Sequence, residues 1–347
     1  MTTKKVCVIG HFGFGKNLLN GQTVKTKILT AELQKQFGDS DVIKKDTTGG
    51  AVALFRLPFI LFKSLTQSEN VVVLPAQNGV KIIIPMLVLL NAVFKRKLHY
   101  AVIGGWLADL VKNKRLLKLF LKRLNGIYVE TSTMKNALEE MGFENVVVVP
   151  NCKNIEILLQ EDLVYPKAEP YKLCTFSRVM KEKGIEDAVE AVRVINEKHN
   201  KTVYTLDIYG QVDEGQTEWF SNFQKTFPEY VKYGGLVPYD KSVDAIKDYF
   251  ALLFPTRFYT EGIPGTIIDA YAAGVPVISA KWESFGDIVK DGTTGLGYEM
   301  QDFQGLVEIL ENLYLSPEKI VDIKANCTEA AKKYLPQNAM RALVDRL

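Results

Sequence analysis

Short apolar runs alternate along the chain with longer stretches whose apolar positions recur every three to four residues. The runs at 6–10, 71–74, 100–103, 127–129 and 146–149 predict strands, and the amphipathic stretches between them predict helices. Such alternation implies a parallel sheet covered on both faces, because parallel neighbours need a crossover between them. The pattern then begins again. Runs at 173–176, 205–209, 231–233, 251–254 and 275–279 predict a second set of strands, separated by helices such as 184–198 and 264–273. The fold class expected is α/β, two Rossmann-like units in series. The stretch 160–170 is acidic, carries Pro166 and Pro170 and has no clear period, so it predicts the link. Domains 1–165 and 166–347 are expected, with the last helix able to pack back on the first. If the two units face each other, they enclose a cleft lined by residues that follow strands.

Composition adds boundaries. The 347 residues are 47% hydrophobic and 24% charged, without low-complexity runs, which suits two folded domains. Cys7, Cys152, Cys174 and Cys327 are too dispersed for a zinc site or a disulfide scaffold, and a cytoplasmic location is expected. The opening apolar run is too short for an export signal. The run 82–94 lies between Lys81 and Lys95, falls short of the roughly 20 residues of a spanning helix, and predicts a buried core helix.

Charge is unevenly distributed. The net value is +3, yet residues 1–150 hold 21 Lys and Arg against 10 Asp and Glu, whereas 151–347 hold 22 against 30. The first half therefore suits an anionic partner. Within it, 107–124 predicts one helix with Leu110, Leu117, Leu121 and Leu124 on one face and Lys112, Arg115, Lys118, Lys122 and Arg123 opposite. Together with Phe55, Phe59 and Phe62 this is read as a membrane or acceptor face, the alternative being an ordinary helix with a solvated basic side. No nucleic acid is expected, since no reading module is present and aromatic residues are not interleaved with basic ones.

Chemistry concentrates in two stretches. In FPTRFYTEGIPGTIIDAYAAGVPVIS, 254–279, Pro264 suits the first turn of a helix and Gly274 its left-handed end. The amides near Gly265 and Thr266 then form an anion site at the helix start. Glu261 ahead of it and Asp269 within it can accept hydrogen bonds from sugar and ribose hydroxyls, or can simply favour the helix dipole. In FSRVMKEKGIEDAVEAV, 176–192, Arg178 and Lys183 flank the exit of a strand, where two cations can neutralise a departing diphosphate without a metal. Lys181 and Lys183 can equally be solvated loop charges.

These two stretches, in this order and separation, resemble the donor-binding signature of the retaining glycosyltransferases of family 4, and the similarity extends over nearly the whole chain. The resemblance implies a GT-B fold, a nucleotide-sugar donor such as a UDP-sugar in the second domain, and an acceptor in the first. It assigns Arg178, Lys183 and Glu261 as catalytic, and Gly13, Gly15, Gly210, Gly262, Gly265, Thr266 and Asp269 to the donor side. No cofactor or metal is expected. Three departures stand out: Asp269 where the family more often has Glu, Pro264–Gly265 in the turn, and no histidine in the loop 100–107. The acceptor expected is a glycan or polyprenyl-diphosphate-linked sugar in surface-polysaccharide assembly, with the enzyme peripheral at the inner face of the cell membrane.

Two other readings compete. Gly10, Gly15 and Lys16 match the spacing of a phosphate-binding loop, which makes a phosphotransferase or ATPase the alternative, although Asn17 stands where such a loop needs Ser or Thr. A sugar-nucleotide-binding regulator without turnover is the other. Asp39, Ser40 and Asp41 spell an acid-x-acid metal grip, but a solvated turn is expected there, between a helix and a short strand.

Overall fold

The computed structural model describes residues 3–15, 21–49, 51–166 and 168–347. The chain divides into two compact units, Met1–Asn154 with Tyr334–Leu347, and Ile155–Lys333.

The sheet of the first unit comprises β1 (Lys4–Gly10), β2 (Val42–Asp46), β3 (Ser68–Val73), β4 (Lys97–Ala101), β5 (Gly126–Val129) and β6 (Val146–Val148), in the order β2-β1-β3-β4-β5-β6. Its neighbours pair in parallel. Alternate strand residues face opposite sides, as a period of two requires. Cys7, Ile9, Val71 and Val73 meet helices Ala51–Gln67 and Gln77–Phe94, whereas Val6, Val8, Val72 and Leu74 meet Leu29 and Leu33 of helix Gly21–Phe37. Ala339, Met340 and Leu343 complete that second layer.

The second unit repeats the plan with β7 (Tyr171–Phe176), β8 (Tyr204–Tyr209), β9 (Val231–Gly235), β10 (Ala251–Phe254), β11 (Val277–Lys281) and β12 (Gly295–Glu299), ordered β12-β11-β10-β7-β8-β9. All these pairings are parallel. Counting from β7, this is the doubly wound Rossmann order, with its reversal between β7 and β10. The two-Rossmann plan read from the alternation is thus the observed one.

Three expectations need correction. First, the division falls at Asn154/Ile155, ahead of the proline-bearing stretch. Residues 155–163 are held in the second unit, where Leu158 N–H donates to Ala272 O (2.9 Å) and Leu163 lies buried against Gly274. Second, the basic stretch 107–124 forms two short helices, Leu107–Lys112 and Arg115–Leu121. Val111 is buried, so a continuous helix would aim Lys114 and Arg115 at the core. The break at Asn113 and Lys114 re-registers the chain so that Leu117 and Leu121 are buried instead. Third, the apolar helix runs Gln77–Phe94 and is buried on one face only: Val80, Ile84 and Leu87 are enclosed, while Ile82, Leu89 and Val93 are exposed. By length and composition it could cross a membrane, yet its inward face is part of this unit's core.

Candidate active site

In open parallel sheets ligands bind past the carboxyl ends of the strands where strand order reverses. In the second unit that place is the exit of β7 and β10, and both stretches singled out in the sequence leave from it. Two close contacts bind these exits together, and a third ties in the end of β8. Gly184, at φ +69° between the loop after β7 and helix Ile185–Lys198, presses so closely on the loop after β10 that a Cβ would lie 1.9 Å from Pro255 O. Gly210, after β8, approaches Ser177 just as closely: a Cβ there would lie 1.8 Å from Ser177 O. The Thr266 hydroxyl donates to Phe176 O, tying the start of helix Gly265–Ala272 to the end of β7.

Lys183 and Glu261 meet across this junction. Lys183 Nζ donates to Glu261 Oε1, and each side chain is only 16% exposed. The buried Thr256 hydroxyl donates to the same oxygen (3.1 Å) and accepts from Phe258 N–H (3.2 Å). The Lys183 ammonium also lies over the rings of Phe254 (5.3 Å) and Phe258 (5.0 Å). One carboxylate and two aromatic faces therefore hold a cation in a partly desolvated position, where its field is screened less than in water.

Arg178 is 53% exposed and makes a long contact of 3.4 Å with Asp213. Asp213 also accepts from Gly215 N–H, and Gln216 next to it donates to Glu182 and accepts from Lys181 N–H, so segment 213–216 braces the loop after β7. Helix Gly265–Ala272 starts from Pro264, and Ile267 is the first amide that donates back, to Pro264 O (3.1 Å). The amides of Gly265 and Thr266 thus precede the helical ladder, as expected for an anion-binding turn. Gly274 closes this segment in the left-handed region, at φ +63°. Gly262 is buried beside Glu261.

Asp269 is 2% exposed, and one oxygen of its carboxylate accepts the Ser242 hydroxyl (2.8 Å).

In the first unit, Gly13 (φ +63°) and Gly15 (φ +80°) adopt backbone conformations that glycine favours. Their loop follows β1 and is held by Asp46 and Thr48, which sequence reasoning missed: Asp46 accepts from Phe12 and Phe14 N–H, and Thr48 from Gly13 N–H. Burial opposes the Asp46 charge, but the Thr48 hydroxyl and the amides of Thr48, Phe12 and Phe14 outweigh it and hold the carboxyl below its ordinary range. Lys16 and Asn17, on which the phosphate-loop reading depended, lie outside the described residues. Also missed was a buried pair between helix Gly21–Phe37 and the ends of β4 and β5: Lys25 Nζ donates to Glu130 and to Val102 O (2.8 Å). Among the basic residues assigned to a membrane or acceptor face, Lys112, Arg115, Lys122 and Arg123 are exposed and Lys118 half-buried. Lys122 Nζ lies 5.4 Å from the Phe143 ring centroid. Asp39–Asp41 form an exposed turn of 3-10 helix, in which Asp39 accepts from Gln34. Among the described residues no three His, Cys, Asp or Glu gather as metal ligands.

The fold is that of the GT-B glycosyltransferases. Residues 170–316 match the family model described as glycosyl transferases group 1, which spans β7 to β12 and the candidate site. The amylovoran biosynthesis glycosyltransferase AmsK of Erwinia amylovora is 21% identical over 187 residues, 52% of this chain and 46% of AmsK. The alignment thus spans less than half of that relative. An uncharacterized glycosyltransferase of Methanocaldococcus jannaschii is 24% identical over 253 residues, covering 70% of this chain and 67% of that one. Anabaena HepE, solved with UDP and glucose, superposes with a TM-score of 0.74 over 99% of this chain and 98% of its own, at 14% identity, a likeness of fold.

Proposed function

We propose that the protein is a glycosyltransferase that moves a sugar with retention from a nucleotide-sugar, a UDP-sugar being the first choice, to a glycan or polyprenyl-diphosphate-linked acceptor in surface-polysaccharide assembly. The observation that carries this reading is the Lys183–Glu261 pair at the β7/β10 reversal, inside the stretch that matches group 1 glycosyl transferases. The UDP complex of HepE and the polysaccharide role in the name of AmsK support the donor and acceptor classes.

In this reading the donor diphosphate rests on the amides of Gly265 and Thr266 and on Lys183 and Arg178. As the glycosyl bond breaks, negative charge grows on the diphosphate, and fixed cations stabilise that charge more than the ground state. Lys183 exchanges its contact with Glu261 for phosphate, which frees the carboxylate to accept a sugar hydroxyl. Arg178, lightly held, swings in from Asp213. The acceptor oxygen attacks the face the diphosphate leaves, and its proton passes to that phosphate, so no side-chain nucleophile is required. The positive charge supplied by the protein makes a divalent ion unnecessary in this scheme.

Binding a donor stabilises the native state, so the test is a thermal-shift series of nucleotide sugars with EDTA present. One donor should raise the Tm and be turned over. Lys183→Ala and Glu261→Gln should keep the parent's unliganded Tm within a few degrees and lower turnover by roughly 10²–10³-fold, the scale of removing one preorganised charge partner. Near-parental turnover in both variants overturns the assignment. A shift with ATP and magnesium alone favours the phosphotransferase reading, and tight donor binding without transfer favours the regulator.

A further inference from the structure

Helices Ala51–Gln67, Gln77–Phe94 and Arg115–Leu121 pack side by side on one face of the first sheet. Their inward sides are ordinary core, but their outward sides are also apolar. Phe55 is 88% exposed, Val93 80% and Leu89 65%, and Phe59, Leu116 and Leu119 are likewise open to solvent. The surface is continuous from helix to helix, since the rings of Phe62 and Phe94 meet edge-on at 5.5 Å. On the first helix Phe55, Phe59 and Phe62 follow a period of three to four residues. Ile82, Leu89 and Val93 do the same on the second, so each helix offers one stripe. Neighbouring apolar side chains left open in this way over several elements mark an interaction surface.

Charge identifies what covers it. Residues 47–129 hold twelve Lys and Arg and only two acids, Glu69 and Asp109. Arg56, Lys63, Lys81, Lys112 and Arg115 are exposed around the apolar stripes, and Lys63 Nζ lies 4.5 Å from the Phe59 ring centroid. Aromatic and aliphatic side chains within a rim of long cationic ones match an interface with acyl chains below and anionic headgroups above. A second copy fits poorly, because self-pairing would bring two strongly basic surfaces together.

We propose that this three-helix face is a docking surface for an anionic phospholipid bilayer, on which the first unit lies with Phe55, Phe59, Leu89 and Val93 dipped into the headgroup boundary. The helix Gln77–Phe94 lies on the bilayer rather than across it, since Val80, Ile84 and Leu87 stay in the core. The inference is independent of the transfer reaction, and its test reads binding alone. Phe55 and Phe59 belonged already to the membrane face read from the sequence; Leu89 and Val93 on the second helix are added to it, and Lys112 and Arg115 contribute to the rim.

The test is co-sedimentation of the full chain with vesicles of phosphatidylcholine alone or with 30% phosphatidylglycerol, chosen as about a third anionic lipid. Binding should be at least about tenfold tighter to the anionic vesicles and should weaken between 0.05 and 0.5 M salt, roughly the range over which screening becomes severe. The triple variant Phe55→Ser, Leu89→Ser, Val93→Ser should lose about tenfold or more of the remaining affinity, because the anchors lose apolar burial. Its Tm should match the parent's, since all three side chains face outward. Lys63→Glu with Arg56→Glu should abolish the preference for anionic lipid. The proposal is overturned if the parent sediments with neither vesicle, or if the triple variant binds as the parent does. It is also overturned if light scattering shows a dimer that the same substitutions dissociate, for then the occupant is a second copy.

Discussion

His99 occupies the middle strand of three, and its ring nitrogens face a partner on each side: Tyr128 Oη on β5 (2.9 Å) and Asn70 Oδ1 on β3 (3.2 Å). Asn70 in turn donates to Lys5 O and Leu347 O, both at 3.0 Å. The loop 100–107 holds no histidine, and His99, just ahead of it, serves the sheet. Burial, with the nearby charges of Lys97 and Arg346, pushes its pKa down from 6.5 to about 4. Between those values the unfolded chain binds a proton that the folded chain refuses. Stability present above pH 6.5 is therefore lost as pH falls through 4, by on the order of 3 kcal/mol. Thermal melts of the parent and of His99→Gln should converge as pH falls from 7.5 to 4: the parent's Tm falls more steeply, and the variant begins lower but changes less. Parallel curves would show that His99 is protonated in the fold at little cost.

At the level of elements, the site depends on two loops held at contact distance by glycine. Gly184→Ala places a methyl against Pro255 O and also forces an L-residue to φ +69°, so it should cost about 2 kcal/mol or more in urea unfolding. Gly235 is the internal comparison: its φ is +75°, but no atom lies within 4 Å of a Cβ there, and Gly235→Ala should cost only about 1 kcal/mol. Equal costs would mean that the loop after β10 simply moves aside. None of this packing is visible in the sequence, where Gly184 reads only as the start of a helix. What was legible is what burial on both faces imposes: continuous apolar runs such as VVVL and ALLF announced their strands. The edge strand β12, with the sequence GLGYE, lacks that signature and was missed. Arg178, Lys183 and Glu261 could be located because they follow strands, whereas Thr256 and Asp213 act through contacts that only the folded loops create. The bond from Ser242 to the Asp269 carboxylate is likewise made only in the fold.

At the scale of the whole molecule, the first unit is built from both ends of the chain. After the second unit is complete at Lys333, residues 334–347 return to the first sheet. There Tyr334 O accepts from Lys153 N–H (3.1 Å), and Ala339, Met340 and Leu343 are buried with Val6, Val8, Leu29 and Leu33. Burying three such side chains stabilises by on the order of 5 kcal/mol, comparable with the whole stability of a marginal domain. The strands of the second unit, β7 to β12, all lie within residues 171–299. A chain ending at Lys333 should therefore separate the two units' behaviour. Hydrogen exchange should accelerate by two or more orders of magnitude in β1 and β3, while β7 and β10 keep their protection, following the roughly 1.4 kcal/mol per decade relation between opening free energy and exchange. If the donor site resides wholly in the second unit, the truncated chain should still gain thermal stability from the nucleotide sugar while losing transfer. Protection lost evenly across both sheets would instead mean that the two units fold as one cooperative body, and that the closing segment stabilises the site as well as the first sheet.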